Sequence, residues 1–342
     1  MKKITSLVLF LFLAISLLAT PSLNFAELGD LMLFSGQTLN DCSMGYRILG
    51  KANDEGSNYI LYPTWHGGTS EHIAGLITKY NFIDTSAYCI VMVDALANGV
   101  STSPSNSVTQ AGELFPEIRL IDMARCQKAV LDYLGIEHLH AIVGGSMGSM
   151  QGFELIAEYP ELADKAILYV CSPRNSSYDK MRHKISLDII ELGRKYDISP
   201  QEYMRSVNLI QNMNGKSPEY FSLEMSHDQA EDYIAKFDSY KPALFTQDNF
   251  YSQTKALYYN DISWRDEYNI KKTAQRIKTD LFIIVNKQDH TVSPWEALKF
   301  AEMTNAKTLL LDNNRGHLGI THEMARVRKA MDKFLKKRIK NQ

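Results

Sequence analysis

Short apolar runs recur along the chain and alternate with amphipathic stretches of helical spacing. Six runs are typical of strands buried on both faces of a sheet. They lie at residues 58–62, 89–94, 140–143, 166–171, 281–285 and 307–312. Apolar residues spaced three and four apart predict helices at residues 119–134, 148–158, 294–303 and 321–337. This alternation predicts an α/β fold, with a mainly parallel sheet and helices on both faces.

A long stretch between the fourth and fifth predicted strands has a different pattern. Residues 174–272 are helical in spacing, aromatic and charged, and carry no strong strand signal. We interpret them as a helical cap inserted into a core of residues 27–173 and 273–342. Open α/β sheets bind ligands at the carboxyl ends of their strands. The cap should therefore cover a site at that edge and line it with apolar side chains.

The first residues have the pattern of an export signal. Lys2 and Lys3 precede an apolar run over residues 4–19, and small residues follow near Ala19 to Ser22 and at Ala26. The pattern predicts a signal peptide over residues 1–26 and an exported protein, either periplasmic or secreted. A membrane anchor is the alternative, because the apolar run approaches spanning length. The polar, proline-containing sequence that follows favours cleavage, which would leave no stable membrane span.

Charge and cysteine usage restrict the classes of partner. The formal net charge is −2, which argues against a nucleic-acid partner. Cys42, Cys89, Cys126 and Cys171 lack metal-ligand spacing, so we expect neither a metal nor another cofactor. An exported protein could pair these cysteines, but buried free thiols are the preferred interpretation. The oligomeric state stays open, with a homodimer among the options.

One stretch indicates chemistry directly. Residues 141–145 form an apolar run ending in two glycines, Ser146 follows, and an apolar helical pattern begins after it. This is the G-x-S-x-G pattern of a serine held on a tight turn between strand and helix. At the helix N-terminus, free N–H groups and the helix dipole favour developing negative charge. A glycine-rich turn that merely contains serine is the alternative, and the partner residues below argue against it.

A serine nucleophile needs a base, and the base needs an orienting carboxylate. Asp289 and His317 each follow a predicted strand, in the chain order serine, aspartate, histidine. Both should lie at the sheet edge that carries Ser146. His290 is the alternative base and Asp312 the alternative acid.

An acyl-transfer site also needs N–H donors for an oxyanion. The backbone N–H of Met147, directly after the nucleophile, is the expected first donor. The second should come from the glycine-containing loop at residues 62–69, with His66 preferred and Trp65 as the alternative.

These motifs resemble the homoserine O-acetyltransferase family of the α/β-hydrolase fold. Residues 144–151 read G-G-S-M-G-S-M-Q and differ at one position from that family's G-G-S-M-G-G-M-Q. Residues 115–127, the later segment 254–262 and Gly316-His317 are also similar, and the likeness covers roughly residues 43–335. The resemblance implies an α/β-hydrolase fold with Ser146, Asp289 and His317 as catalytic triad.

The substrate-binding positions depart from the family. Leu318 stands where the family usually has an aspartate that holds the homoserine amine. An ungapped comparison puts Leu187 at the family's arginine for the homoserine carboxylate, although Arg174 and Arg182 are nearby. Unpaired charges of a zwitterion in a desolvated site would be costly. The candidate substrate contacts are Trp65, Arg174, Arg182 and Leu318.

The sequence thus favours a serine enzyme that acts through an acyl-enzyme and hydrolyses a small-molecule carboxylic ester. Export would separate it from acetyl-CoA, a cytoplasmic acyl donor, which supports hydrolysis over transfer. An O-acetyltransferase of the homoserine type is the first alternative. An inactive binding module is the second, although the triad pattern is intact.

Overall fold

A computed structural model describes residues 20–238 and 244–337. Its centre is one eight-stranded sheet of spatial order β1-β2-β4-β3-β5-β6-β7-β8. The strands are β1 Asn24–Met32, β2 Thr38–Leu49, β3 Tyr59–Pro63, β4 Cys89–Val93, β5 Leu139–Gly145, β6 Ala163–Tyr169, β7 Asp280–Asn286 and β8 Lys307–Leu311. Strands β3 to β8 pair in parallel, which confirms the predicted fold class.

The sequence pattern missed the antiparallel hairpin at one edge. Strand β1 pairs with β2, and β2 pairs with β4, both antiparallel. Their exposed and buried positions are mixed, so they lack the continuous apolar runs of central strands. Strand β1 begins at Asn24, three residues before the predicted start of the core, and Ala26 within it is fully buried. Residues 1–19 of the predicted export segment lie outside the described residues.

Helices cover both faces of the sheet, and their bounds differ from the predicted ones by a few residues. They are α1 Ser70–Tyr80, α2 Leu120–Tyr133, α3 Met147–Glu158, α4 Ser177–Lys195, α5 Pro200–Asn214, α6 Pro218–Leu223, α7 His227–Ala235, α8 Gln247–Tyr258, α9 Ile270–Arg276, α10 Pro294–Thr304, α11 Gly319–His322 and α12 Met324–Leu335. Short 3-10 helices lie at Gly112–Leu114, Ile262–Asp266 and Gly316–Leu318. Helix α1 was not predicted, and the predicted helix 321–337 is divided at Glu323.

Two apolar layers enclose the sheet. Helices α2, α3 and α10 bury Met123, Phe153 and Phe300 on one face. On the other face, α1 and α12 bury Ile73 and Phe334. Burial of this apolar area is the main force that holds the helices on the sheet. The candidate functional site lies at the edge of the sheet, between the two helix layers.

Helices α4 to α8 lie between β6 and β7, within the stretch predicted as an insertion. Three of them, α4, α5 and α8, share a small apolar cluster that includes Ile190, Met204 and Phe250. The end of the predicted insertion differs in its packing, because Ile262 and Ile270 join the main core cluster. Ala256 and Leu257 at the end of α8 join the same cluster, so the division into a cap of residues 174–272 and a core stays a prediction.

Within the described residues, no helix has the length and apolar character needed to cross a membrane. All four cysteines are buried free thiols, as the sequence favoured.

Candidate active site

Ser146 lies at the junction between strand β5 and helix α3. Its backbone has φ +53° and ψ −127°, a strained conformation for a residue with a side chain. Its N–H donates to the carbonyl of Tyr169 on the next strand at 3.0 Å. A Cβ at Gly144 would lie 2.6 Å from the carbonyl oxygen of Gly148, so the turn requires glycine there. Sterics therefore explain the small residues that flank this serine.

The structure brings Ser146, His317 and Asp289 together in one hydrogen-bonded chain. His317 Nε2 lies 3.0 Å from Ser146 Oγ, and His317 Nδ1 lies 2.7 Å from Asp289 Oδ2. The other carboxylate oxygen of Asp289 accepts the N–H groups of Thr291 and Val292 at 2.8 and 2.9 Å. These bonds fix the carboxylate so that it can orient the imidazole ring.

The two alternative residues lie elsewhere. Asp312 is exposed and pairs with Lys287 at 3.3 Å, away from His317. His290 faces the ring of Tyr178, with ring centroids 6.4 Å apart. Neither residue hydrogen-bonds to Ser146 or His317 among the side chains that the structure describes.

Asn286, which the sequence did not single out, holds the loop that carries His317. It is fully buried at the end of β7, and its side-chain amide donates to the carbonyl of Gly316 at 2.7 Å. The same amide donates to the carbonyl of Asn313 at 2.9 Å. The sequence signal that could have identified Asn286 is its position as a polar residue directly after the apolar run of β7.

The loop after β3 presents backbone N–H groups beside Ser146. The N–H of Thr64 donates to Val93, and the N–H of Gly67 donates to the side chain of Gln253 at 2.9 Å. The N–H groups of Trp65, His66 and Met147 have no partner within residues 20–238 and 244–337. The backbone N–H groups of Trp65, His66 and Met147 are therefore all available to donate to an oxyanion.

The His66 side chain is held by the cap. Its Nε2 lies 3.1 Å from the hydroxyl of Thr254, and its ring meets Phe245 and Phe250 edge-on. Burial, together with the positive charge of Arg182, lowers the pKa of His66 to about 3. The ring is thus neutral at physiological pH.

Ser146 opens onto two cavities of different character. The larger one is about 350 Å³ and mainly apolar. Its lining comprises Trp65, His66, Leu76, Phe82, Gly145, Ser146, Tyr169, Val170, Thr291, His317, Leu318, Ile320, Thr321 and Met324. None of these residues belongs to the cap. The expectation that the cap would supply apolar lining is therefore wrong for this cavity, because α1, the strand ends and the His317 loop supply it.

The smaller cavity, about 40 Å³, lies on the cap side of Ser146. Arg182, His183 and Gln211 line it, together with His66, Ser146, Met150, Thr254, Leu257, Thr291 and Val292. Arg182 is 6% exposed and donates to Gln211 at 3.0 Å, and its Nη2 lies 3.2 Å from His183 Nε2. Its Nε has no partner among the described residues, and burial lowers the pKa of the guanidinium. A buried cation thus faces this cavity, and no carboxylate of the described residues forms a salt bridge with it, although the charges of Asp179 and Asp289 act on it.

The other candidate substrate contacts either line the apolar cavity or lie away from both cavities. Trp65 and Leu318 line the apolar cavity, and Leu318 is half exposed at its edge. Arg174 pairs with Glu296 and lines neither cavity. Leu187 is buried in α4 and also lines neither. Arg182 is therefore the candidate arginine that the fold places beside Ser146, and Arg174 is not.

The known proteins that are similar to this chain include hydrolases of esters and O-acetyltransferases. The ethyl acetate hydrolase of Pseudomonas veronii is 26% identical, over 90% of this chain and 93% of that protein. The homoserine O-acetyltransferase of Methanococcus vannielii is 25% identical, over 92% and 73% of the two chains. An acetylester hydrolase from Corynebacterium glutamicum superposes with a TM-score of 0.81 at 24% identity, over 92% and 95% of the chains.

The family model of the alpha/beta hydrolase fold matches residues 66–321, a span that contains all three residues of the hydrogen-bonded chain at Ser146. This span is well over half of the sequence. The chain therefore belongs to the alpha/beta hydrolase fold family.

Proposed function

We propose that this protein is a serine esterase that hydrolyses carboxylic esters through an acyl-enzyme on Ser146. The observation that carries the proposal is the hydrogen-bonded chain from Ser146 through His317 to Asp289. In this arrangement Ser146 is the nucleophile, His317 the general base and Asp289 the orienting acid. An inactive binding protein would have no need to keep all three groups aligned beside a cavity.

The first half-reaction transfers the acyl group to the enzyme. His317 Nε2 takes the proton of Ser146 as the serine oxygen attacks the ester carbonyl carbon. The negative charge that develops on the carbonyl oxygen is stabilised by the N–H groups of Met147 and His66. When the tetrahedral intermediate collapses, the ester C–O bond breaks and His317 returns the proton to the departing alcohol.

The second half-reaction releases the acid. A water molecule takes the place of the alcohol, and His317 removes its proton as it attacks the acyl-enzyme carbonyl. The same N–H groups stabilise the second oxyanion. Collapse of this intermediate frees the carboxylic acid and returns the proton to Ser146.

Two observations favour hydrolysis over transfer. The similar ethyl acetate hydrolase and acetylester hydrolase are esterases by name. Leu318, which borders the apolar cavity next to His317, has no charge to offer the amine of a homoserine acceptor. Water needs no such partner.

One observation favours an O-acetyltransferase as the second candidate. Arg182 is a buried guanidinium that faces the cap-side cavity, and its Nε has no hydrogen-bond partner in the described part of the chain. A carboxylate of an acyl acceptor would satisfy it by a charge-assisted hydrogen bond. In this case the acceptor would occupy the cap side of Ser146.

We also propose that the protein is exported after removal of an N-terminal signal peptide within residues 1–26. The charged start, the apolar run and the small residues after it support this localisation. An exported enzyme would lack acetyl-CoA, which again favours water as acceptor.

The experiment that separates the two functions is turnover of p-nitrophenyl acetate with and without homoserine, followed by mass analysis of the products. We expect acetate as the main product in both cases. Efficient formation of O-acetylhomoserine, from this ester or from acetyl-CoA, would replace the hydrolase with the transferase. Loss of that product in Arg182→Met would then identify the acceptor site.

A further inference from the structure

The apolar cavity beside Ser146 is much larger than an acetyl group requires. Its volume is about 350 Å³, and a methylene group needs about the room of a water molecule, roughly 30 Å³. Even with imperfect filling, the cavity has room for a chain of about six to eight carbon atoms. An acetyl or ethyl group would leave most of it empty.

The chemistry of the wall selects a hydrocarbon. Phe82, Ile320 and Met324 are each less than 10% exposed and supply apolar carbon. The lining contains no aspartate, glutamate, lysine or arginine. The hydroxyls of Tyr169, Thr291 and Thr321 belong to the lining, but each is hydrogen-bonded within the protein, to Tyr62 and to the carbonyls of Asn214 and Leu318 respectively. A polar or charged substrate arm would therefore lose its hydration without a compensating partner.

The opposite side of Ser146 contrasts with this wall. The cap-side cavity is only about 40 Å³ and is bordered by Arg182, His183 and Gln211. The two arms of an ester bound at Ser146 would therefore meet different surroundings. A long apolar arm fits on one side only.

We propose that the substrate is an ester with one hydrocarbon arm of about six to eight carbon atoms, held in the apolar cavity. This inference rests on the proposed esterase function and names the class of its substrate. It differs from the small esters in the names of the similar hydrolases. The arm is either the acyl chain or the alcohol chain, since the same wall suits both.

The test compares three esters with the purified protein by proton release. Ethyl hexanoate and hexyl acetate are isomers that extend ethyl acetate by four methylene groups on the acyl and the alcohol side. Burial of each methylene raises kcat/KM by about threefold to fourfold when the gain in binding is complete. We expect one isomer to exceed ethyl acetate in kcat/KM by at least about 20-fold. The isomer that gains identifies the arm.

A variant that fills the cavity links this gain to the wall. Leu76 lies on α1 and lines the cavity, so Leu76→Trp should reduce the preference for the favoured isomer at least fivefold. Ile320→Phe tests the same effect from helix α11, should the first variant fold poorly. The matched control is Leu223→Trp, because Leu223 is 73% exposed on α6 and lines neither cavity. The control should keep the wild-type preference.

The outcomes separate the two proposals. Hydrolysis of ethyl acetate at least as fast as both isomers would overturn the hydrocarbon arm and leave the esterase intact. A preference that survives both filling variants would also overturn it. No hydrolysis of any ester, with no labelling of Ser146 by a fluorophosphonate, would overturn the esterase itself.

Discussion

At the scale of single residues, the site depends on the strained Ser146 and on its partners His317 and Asp289, which neighbouring groups hold in position. Ser146 adopts a positive φ because the strand and the helix meet at a tight turn. Asp289 accepts two backbone N–H groups with the oxygen that His317 does not use. Each group is thus positioned before a substrate arrives, which is what rapid proton transfer needs.

We expect Ser146→Ala to lower ester turnover by at least about 10⁴-fold, because no other side chain supplies the nucleophile. The melting temperature should change little, since the hydroxyl contributes chemistry and not packing. A fluorophosphonate probe should label wild type and fail to label the variant. Retention of wild-type turnover would reject Ser146 as the nucleophile.

Asp289→Asn should lower kcat by about 10⁴-fold, because the amide favours the wrong tautomer of His317. Its effect should not add to that of Ser146→Ala, since the groups act as a unit. Asp312→Asn is the matched control, because Asp312 is exposed and pairs with Lys287. We expect less than about a twofold change there. The opposite ranking of the two variants would move the acid to Asp312.

The buried histidine His183 should make the protein less stable in mild acid. Burial and the nearby Arg182 charge lower its pKa well below the ordinary value. The unfolded chain binds a proton near pH 6.5 while the folded chain does not, so stability falls as pH decreases below that value. We expect His183→Gln to lose less melting temperature than wild type between pH 7.5 and 5. Equal losses would show that His183 does not contribute.

At the scale of elements, helix α8 of the cap organises the loops of the core. Gln253 is fully buried, and its side chain accepts from Gly67 and donates to the carbonyl of Leu96, both at 2.9 Å. Asn249 on the same helix accepts the N–H of Ser105 at 3.1 Å. Helix α8 therefore contacts the loop with the candidate oxyanion donors through the bond between Gln253 and Gly67.

Gln253→Leu should release that loop and lower kcat by about 10-fold to 100-fold, less than loss of an oxyanion donor itself. The effect on KM should be small, because the loop acts on the transition state. Gln253→Glu retains an acceptor for Gly67 and should recover part of the activity. Gln247→Leu, in the first turn of α8, is the matched control. A fall in melting temperature with unchanged kcat would limit Gln253 to a structural role.

At the scale of the whole molecule, the edge hairpin limits where the proposed signal peptide could be cleaved without damage to the sheet. Strand β1 starts at Asn24, and its fully buried Ala26 pairs with Met44 of β2. Removal of residues through Ala26 would take three residues from β1. If the proposed signal peptide is removed, cleavage near Ala19 to Ser22 would leave β1 complete.

We expect the exported protein to begin before Asn24, as measured by its intact mass after expression with the full signal segment. A protein that begins at Leu23 should melt at a higher temperature than one that begins at Leu28, because the shorter form loses buried pairing with β2. A mature mass that starts at Glu27 would contradict this placement. Recovery of the uncleaved chain in the membrane fraction would instead support the anchor.

The sequence alone predicted the parallel sheet and the order of Ser146, Asp289 and His317, because these follow from local patterns. Buried central strands require unbroken apolar runs, and a serine on a tight turn requires small neighbours. Residues at the carboxyl ends of parallel strands share one edge, so their meeting could also be expected.

Only the tertiary structure showed the edge hairpin, the contacts of the cap residues and the cavity beside Ser146. These features depend on contacts between residues that are far apart in the chain. The hairpin of β1 and β2 is half exposed and depends on pairing with β4, so its local pattern is weak. Arg182 meets Gln211, and Gln253 holds Gly67, across turns that no periodicity specifies. The apolar cavity is formed by α1, the strand ends and the His317 loop rather than by the cap. The volume of this cavity results from the packing of separate elements against one another, and the sequence does not show that packing.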